Sequence, residues 1–327
     1  MRHIVNISGG KDSAATALLA ADRGQPFELW MADTGNEHPV TVEYANEVGG
    51  FLGKTLNIAK ADFTTQIARK REFVATKWRE QGVPEATVLR ALWVLQPTGN
   101  PFLDLCIWKG RFPSRKAQFC TEFLKQKAME DACVGPALSA APVAQWIGVR
   151  RDESLNRRNA PMFQRVKRLD KPHSMLLYRP IIHWTAADVF AFAKSKGLPP
   201  NPLYLKGFSR VGCFPCINAN KAELAQIGRI HAEVIERLTE WEVIVAMASK
   251  RGKATFFAPD VTPEGAAIGT AARARGGMTV KESTAQHWPA AAQVFDWAKT
   301  TRGGRQYDLL GFADDGLSCS SQYGLCE

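Results

Sequence analysis

The sequence predicts an α/β protein, a doubly wound parallel sheet with a mostly helical C-terminal region. Three observations carry this. Short apolar runs alternate with helix-patterned segments through the first half of the chain, the order that covers both faces of a parallel sheet with helices. The first apolar run passes directly into a glycine pair and an Ala/Leu-rich helix pattern, a strand–turn–helix unit that puts a ligand site at the carboxyl end of a strand. Beyond residue 222 the pattern turns helical, then rich in Gly, Ala and Arg.

The elements follow in order. Residues 3–8 read as a strand, 13–23 as a helix, 27–33 as a second strand, 41–49 as a helix and 54–59 as a third strand. Residues 63–81 are helical by pattern. The stretch 84–128 is mostly helical, carries aromatic and basic residues, and reads as an insertion over the site. Residues 144–150 form another strand. A helix over 185–197 has its start written in Thr185 and Asp188, a capping pair three residues apart. Gly197-Leu198-Pro199-Pro200-Asn201-Pro202 stops it. One long amphipathic helix is expected over 222–250. The domains are therefore read as 1–216, carrying the insertion at 84–128, and 217–327, a basic helical region with a cysteine-bearing tail.

Composition narrows the class. With 45% hydrophobic and 23% charged residues in 327, the chain is an ordinary globular protein, not a disordered chain, a collagen or a membrane bundle. No apolar run reaches the roughly 18 residues of a spanning helix. The first residues run straight into a strand with no signal-peptide pattern, so a cytoplasmic location is expected. Lys and Arg number 42 against 32 Asp and Glu, a net charge of +10, which suits an anionic partner: nucleotide, phosphate, sulfate or nucleic acid. Seven cysteines in such a chain read as thiols or metal ligands rather than a disulfide framework.

Ser8-Gly9-Gly10-Lys11-Asp12-Ser13 lies between the first strand and the first helix. Two glycines let the backbone turn tightly and approach a ligand. The helix start offers N–H groups and a positive dipole end, Ser8 and Ser13 add hydroxyls, and Lys11 adds charge. Together they make an anion cradle of pyrophosphate size. The spacing is neither that of the Walker loop nor that of the dinucleotide fingerprint.

At this location the hexapeptide resembles the PP-loop of the adenine nucleotide α-hydrolases, a Rossmann-like superfamily of ATP pyrophosphatases. That resemblance implies that Ser8, Gly9, Gly10, Lys11, Asp12 and Ser13 hold nucleotide phosphates. Further segments are similar to one branch. They are Asp33-Thr34-Gly35; Gly148-Val149-Arg150-Arg151-Asp152-Glu153-Ser154 with Arg157; Tyr178-Arg179-Pro180 through Trp184; and Asn201-Pro202-Leu203-Tyr204 with Gly207-Phe208 and Gly212-Cys213. They resemble the phosphoadenosine phosphosulfate (PAPS) reductase family, which includes PAPS and APS reductases, the ATP sulfurylase small subunit and the ATP-using enzyme of DNA phosphorothioation. The resemblance covers residues 3–216. It implies an adenine nucleotide (ATP with Mg²⁺, or PAPS/APS) on Asp33, Thr34, Gly35 and Gly148 as well as the loop. Lys11, Asp12, Arg150, Arg151 and Arg157 are then the catalytic set. The arginines suit bidentate contacts to phosphate or sulfate oxygens, with Asp152 and Glu153 orienting them or helping to hold Mg²⁺. Trp184 and Tyr204 read as packing residues.

The intact loop is more similar to the ATP-cleaving members than to the reductases, whose loop is altered. The chain ends Tyr323-Gly324-Leu325-Cys326-Glu327, only loosely like the Glu-Cys-Gly tail that carries the reductases' nucleophilic cysteine. Three functions are carried forward. The first is adenylation of an acceptor, nucleic acid or sulfate, for sulfur transfer. The second is reduction of PAPS or APS, with Cys326 attacking sulfur and a thiol or electron donor completing the cycle. The third is a nucleotide- or nucleic-acid-binding subunit that works with a partner and relies on Arg273, Arg275, Arg302 and Arg305.

Cys213-Phe214-Pro215-Cys216 is a C-x-x-C pair, and Cys319 with Cys326 makes a looser second pair. Four such thiolates suit a [4Fe–4S] cluster or zinc, and the family resemblance favours the cluster. A dithiol redox pair at Cys213 and Cys216 is a third option. Cys120, in a segment similar to the family's Cys-Thr-x-x-Leu-Lys, is the alternative ligand, and Lys125 a phosphate contact. Cys106 and Cys133 read as buried small hydrophobes.

Overall fold

The computed structural model describes residues 1–154, 157–167, 170–258, 261–265, 267 and 288–302. In chain order the named elements are β1 (Arg2–Asn6), α1 (Lys11–Asp22), β2 (Glu28–Asp33), α2 (Pro39–Phe51), β3 (Leu56–Lys60), α3 (Thr64–Phe73), α4 (Glu85–Val94), α5 (Pro101–Lys109), α6 (Gly135–Ala140), β4 (Val143–Trp146), β5 (Phe163–Val166), β6 (Met175–Tyr178), α7 (Ala186–Ser195), α8 (Pro202–Leu205), α9 (Lys221–Ile230) and α10 (Ala232–Ala248), with a further helix at Ala291–Ala298. They fall into two compact units. The first is built from Met1–Ala61 and Phe119–Cys216, the second from Asp62–Gln118 and the described residues that follow 216. The expected insertion at 84–128 is thus divided: 84–118 belong to the second unit and 119–128 to the first. Cys319, Cys326, Arg273, Arg275 and Arg305 lie outside the described residues. No helix among the described residues is long and apolar enough to cross a membrane.

The first unit is an α/β layer structure. Its six strands run in the order β3-β2-β1-β4-β6-β5, all parallel except β5, which pairs antiparallel with β6 at the edge. The chain moves outward from β1 to β3 and returns on the other side at β4. The crevice where the order reverses therefore lies between β1 and β4, the place where such sheets hold ligands. Side chains alternate in direction along each strand. Val5, Leu29, Met31, Trp146 and Tyr178 face a core with Ala14, Ala17 and Leu18 of α1 and Tyr44, Ala45 and Val48 of α2. Ile4, Val143, Met175 and Leu177 face the other core, filled by Met129, Cys133, Val134, Ala137 and Leu138. Capping at α7 follows the sequence: the Thr185 hydroxyl accepts from the Asp188 amide at 3.2 Å, and Asp188 Oδ2 accepts from the Thr185 amide at 2.8 Å.

Three features differ from the sequence reading. The strand expected over 144–150 stops at Trp146, and 147–150 leave the sheet toward the site. Strands β5 and β6 were not expected; each has four residues, too few for a period-2 pattern to stand out. The helix expected over 222–250 is two helices, α9 and α10, broken at His231, whose φ of −134° lies outside the helical range.

In the second unit, Phe102 stacks on Trp241 with centroids 5.6 Å apart, and Phe112 packs on Phe256 at 5.4 Å. Buried Glu242 of α10 clamps this core from inside. Its carboxylate accepts from the Phe256 amide at 2.7 Å and the Ala291 amide at 2.9 Å. Burial raises its pKa, against those two bonds. Glu242→Ala strands two buried N–H groups, so it should lower unfolding stability by at least about 2 kcal/mol, read by chemical denaturation.

Candidate functional site

The loop after β1 is built by close approach. Gly9 has φ of +77°, and a Cβ there would lie 2.4 Å from the Thr41 carbonyl oxygen, so only glycine fits. Gly10 is the extended N-cap of α1, and its carbonyl accepts from the Ala14 amide at 3.1 Å. The Ser13 hydroxyl knits the turn: it accepts from the Ser8 amide at 3.1 Å, donates to the Gly10 carbonyl at 3.0 Å and lies 3.0 Å from the Ser8 hydroxyl. Ser13 thus supports the turn from within, where the sequence suggested a phosphate donor. Lys11 Nζ lies 3.3 Å from Asp12 Oδ2.

The end of β4 closes on the same loop. A Cβ on Gly148 would lie 2.7 Å from the Asp12 carbonyl carbon and oxygen and 2.8 Å from the Ser13 nitrogen. Two residues on, Arg150 Nε donates to Asp12 Oδ1 at 2.7 Å, with Asp12 fully buried and Arg150 4% exposed. Burial works against the guanidinium charge, but Asp12, Glu153 and Asp152 outweigh it and raise the Arg150 pKa. Asp152 Oδ1 accepts from Arg150 Nη1. Glu153 accepts from both the Arg150 amide and Arg157 Nη1. Arg151 donates to the Ala160 carbonyl at 3.1 and 3.2 Å. Of the three arginines, Arg150 is joined to the loop at residues 8–13, while Arg151 holds the Ala160 carbonyl and Arg157 holds Glu153.

A cavity opens at the carboxyl ends of β1, β2 and β4, lined by Asn6, Ser8, Trp30, Glu37, Lys125 and Gly148 among others. Asp33-Thr34-Gly35 turns beside it. The Gly35 amide donates to Asp33 Oδ1 at 2.9 Å, and the Thr34 amide to Glu37 Oε2 at 3.1 Å. The C-x-x-C segment is stitched onto this turn: the Phe214 amide donates to the Asn36 carbonyl at 2.6 Å, and Asn36 Nδ2 to the Pro215 carbonyl at 3.0 Å. Thr34 Oγ1 lies 4.0 Å from Cys213 Sγ.

Cys120, Cys213, Cys216, Glu37 and Lys125 share one electrostatic environment. Burial pushes the Cys120 thiol up to about 12, with Cys213 and Cys216 adding to it. Burial likewise takes Cys213 up to about 11 against the pull of Lys125. Burial disfavours the Lys125 ammonium, but Cys213, Glu37 and the other thiols outweigh it and raise its pKa. Burial also raises the Glu37 pKa, although Lys125 and Thr34 lower it. Among the described residues no group of three or more His, Cys, Asp or Glu side chains is arranged to hold a metal ion. Of the expected ligands, Cys213, Cys216 and the alternative Cys120 are among the described residues, and Cys319 and Cys326 lie outside them. Cys106 and Cys133 are buried.

Sequence reasoning missed Asn6 and Glu37, and it singled out the segment of Asn201 and Tyr204 without reading their contacts to the loop. Asn6 and Glu37 carried no motif signal. Asn201 reads as a turn residue before proline, yet its Nδ2 donates to the Gly9 carbonyl at 2.9 Å. Tyr204, read as packing, accepts a hydrogen bond from the Lys11 amide through its hydroxyl at 3.1 Å. One substitution tests the close approach at β4. Gly148→Ala pushes a methyl against backbone that no side-chain rotation can clear. It should cost about 1–3 kcal/mol in denaturation and weaken nucleotide binding measured calorimetrically.

The model of the phosphoadenosine phosphosulfate reductase domain matches residues 2–219. The chain is 45% identical over 336 residues to an uncharacterized 37.8 kDa protein of Escherichia phage 186, covering 99% of this chain and 96% of that one. It is 34% identical over 111 residues to the adenosine 5'-phosphosulfate reductase of Oceanobacillus iheyensis, covering 34% of this chain and 40% of the relative. Among solved structures, the phosphate complex of phosphoadenylyl-sulfate (PAPS) reductase from Candida auris gives a TM-score of 0.39 at 15% identity, covering 65% and 82% of the two chains. Matched by the domain model over residues 2–219, the chain belongs to the phosphoadenosine phosphosulfate reductase domain family.

Proposed function

We propose that the first unit binds Mg-ATP and splits its α–β phosphate bond, adenylating an acceptor for sulfur transfer. The observation that carries this reading is the complete cradle: residues 8–13 at the start of a twelve-residue helix, with Lys11 beside it and Arg150 buried against Asp12. A nucleotide whose β- and γ-phosphates lie on the loop has its α-phosphorus near the mouth of the crevice. An acceptor oxygen forms a bond to that phosphorus as the bond to the bridging oxygen breaks. Pyrophosphate leaves with the electron pair, and the acceptor's proton passes to solvent. No protein nucleophile is required, so positioning and charge stabilisation carry the rate. Lys11 and the loop amides neutralise the departing pyrophosphate, and Arg150 holds Asp12 and the helix start in place. A net charge of +10 supports an anionic acceptor, nucleic acid ahead of sulfate.

A second reading is favoured by the three thiols around Lys125 and by the reductases among the relatives. In it the ligand is APS or PAPS, a cysteine thiolate attacks sulfur, and sulfite is released at the expense of an external thiol. A metal or iron–sulfur cluster on Cys213 and Cys216 would be completed by Cys319 and Cys326 of the tail, or by Cys120 in place of one of them. Iron, zinc and sulfide analysis of anaerobically purified protein tests this.

Pyrophosphate release from Mg-ATP, with DNA, RNA or sulfate as acceptor, separates the two readings. Acceptor-dependent release is expected, and Lys11→Ala should lower it about 100- to 1,000-fold. Sulfite from APS or PAPS with no pyrophosphate from ATP would overturn the adenylation reading.

A further inference from the structure

In this structure the anion cradle is partly filled by the protein itself. The Tyr204 hydroxyl accepts the Lys11 amide hydrogen at 3.1 Å, on the first turn of α1, where a helix N-terminus favours an anionic oxygen. The placement is fixed from several sides. Asn201, fully buried, donates to the Gly9 carbonyl at 2.9 Å and caps the Leu203 amide at 2.9 Å, which ties α8 to the loop just before Tyr204. Phe190 of α7 meets the Tyr204 ring edge-on, with centroids 5.5 Å apart. Lys11 Nζ lies 5.6 Å from the centre of the Tyr204 ring, within cation–π range. One phenol thus engages both the amide and the ammonium of Lys11, the two groups of that residue a phosphate chain would use.

We propose that Tyr204 is a specificity-determining residue of this site: its hydroxyl competes with phosphate for the Lys11 amide. This rests on the nucleotide reading above. A neutral phenol is a weaker acceptor than a phosphate oxygen, so a pyrophosphate chain displaces it and a ligand without one does not. The loop is held in its binding shape while empty, and the exchange lowers affinity for every ligand that must occupy that amide. The outcome is discrimination by phosphate-chain position, imposed by a side chain that need not touch the bound ligand.

Calorimetric titration of inorganic pyrophosphate, Mg-ATP and adenosine into wild-type and Tyr204→Phe protein tests this. The phenylalanine keeps the ring over Lys11 and removes only the competing oxygen. Loss of one net hydrogen bond predicts about 2- to 12-fold tighter binding of pyrophosphate and Mg-ATP, with adenosine unchanged. Phe190→Ala, which keeps the hydroxyl but removes the ring it leans on, should shift the same two ligands in the same direction by less. Equal or weaker binding of pyrophosphate and ATP by Tyr204→Phe, with wild-type binding intact, overturns the competitor role and leaves the nucleotide site standing. Absence of binding in both proteins overturns the nucleotide reading and this proposal with it.

Discussion

The ion pair between Asp12 and Arg150 is the contact on which the first unit's site depends. It joins the first turn of α1 to the loop leaving β4 across the reversal in strand order. Taking two charges out of water is expensive, so such a pair is weak as a source of stability and strong as a means of fixing position. Here it fixes the distance between the loop at residues 8–13 and the arginine-bearing segment. Gly148 sets the same distance sterically, because its missing side chain is what lets β4 reach the Asp12 backbone. Attraction and exclusion agree on one spacing, and the cradle inherits its shape from both.

A second joint links the turn after β2 to the C-x-x-C segment. Asn36 makes the joint twice, its side-chain amide donating to the Pro215 carbonyl 179 positions on and its own carbonyl accepting from the Phe214 amide, and Thr41 Oγ1 donates to the Val211 carbonyl at 2.5 Å. The cavity at the strand ends and the thiols are thereby joined through the same turn. Lys125 lines the cavity and also faces the thiols. Any change of charge among the cysteines is therefore felt in the cavity that Lys125 lines.

Much of this was legible in the sequence because it is local. The strand–loop–helix at residues 2–22, the Asp33 turn and the Thr185 cap are each written in adjacent residues, and the structure follows them to within a few positions. What was not legible is what arises between distant segments. Tyr204 looks like a packing aromatic until α8 lies against the loop. Glu37 looks like a surface acid until the Cys213 segment folds over it. Strands β5 and β6 are too short to show a period. The break at His231 is signalled only by Gly228, three residues earlier, inside a pattern that otherwise continues as helix. The joining of Asp62–Gln118 with the segment beyond residue 216 depends on contacts that no window of residues contains.

The strand order also bears on how the chain is made. β1 is an inner strand whose second neighbour is β4, and Gln145 meets Asn6 across that ladder at a separation of 139 residues. A ribosome adds that length in roughly ten seconds or more. From the emergence of β3 until that of β4, the β1 side of the nascent sheet β3-β2-β1 is an open flank of unpaired amides and carbonyls beside Ile4 and Val5, which are fully buried once folded. Such a flank is a template for pairing with another chain. Crowded synthesis, as on a polysome, therefore puts β1 at risk of recruiting its neighbour's strand before its own partner has emerged.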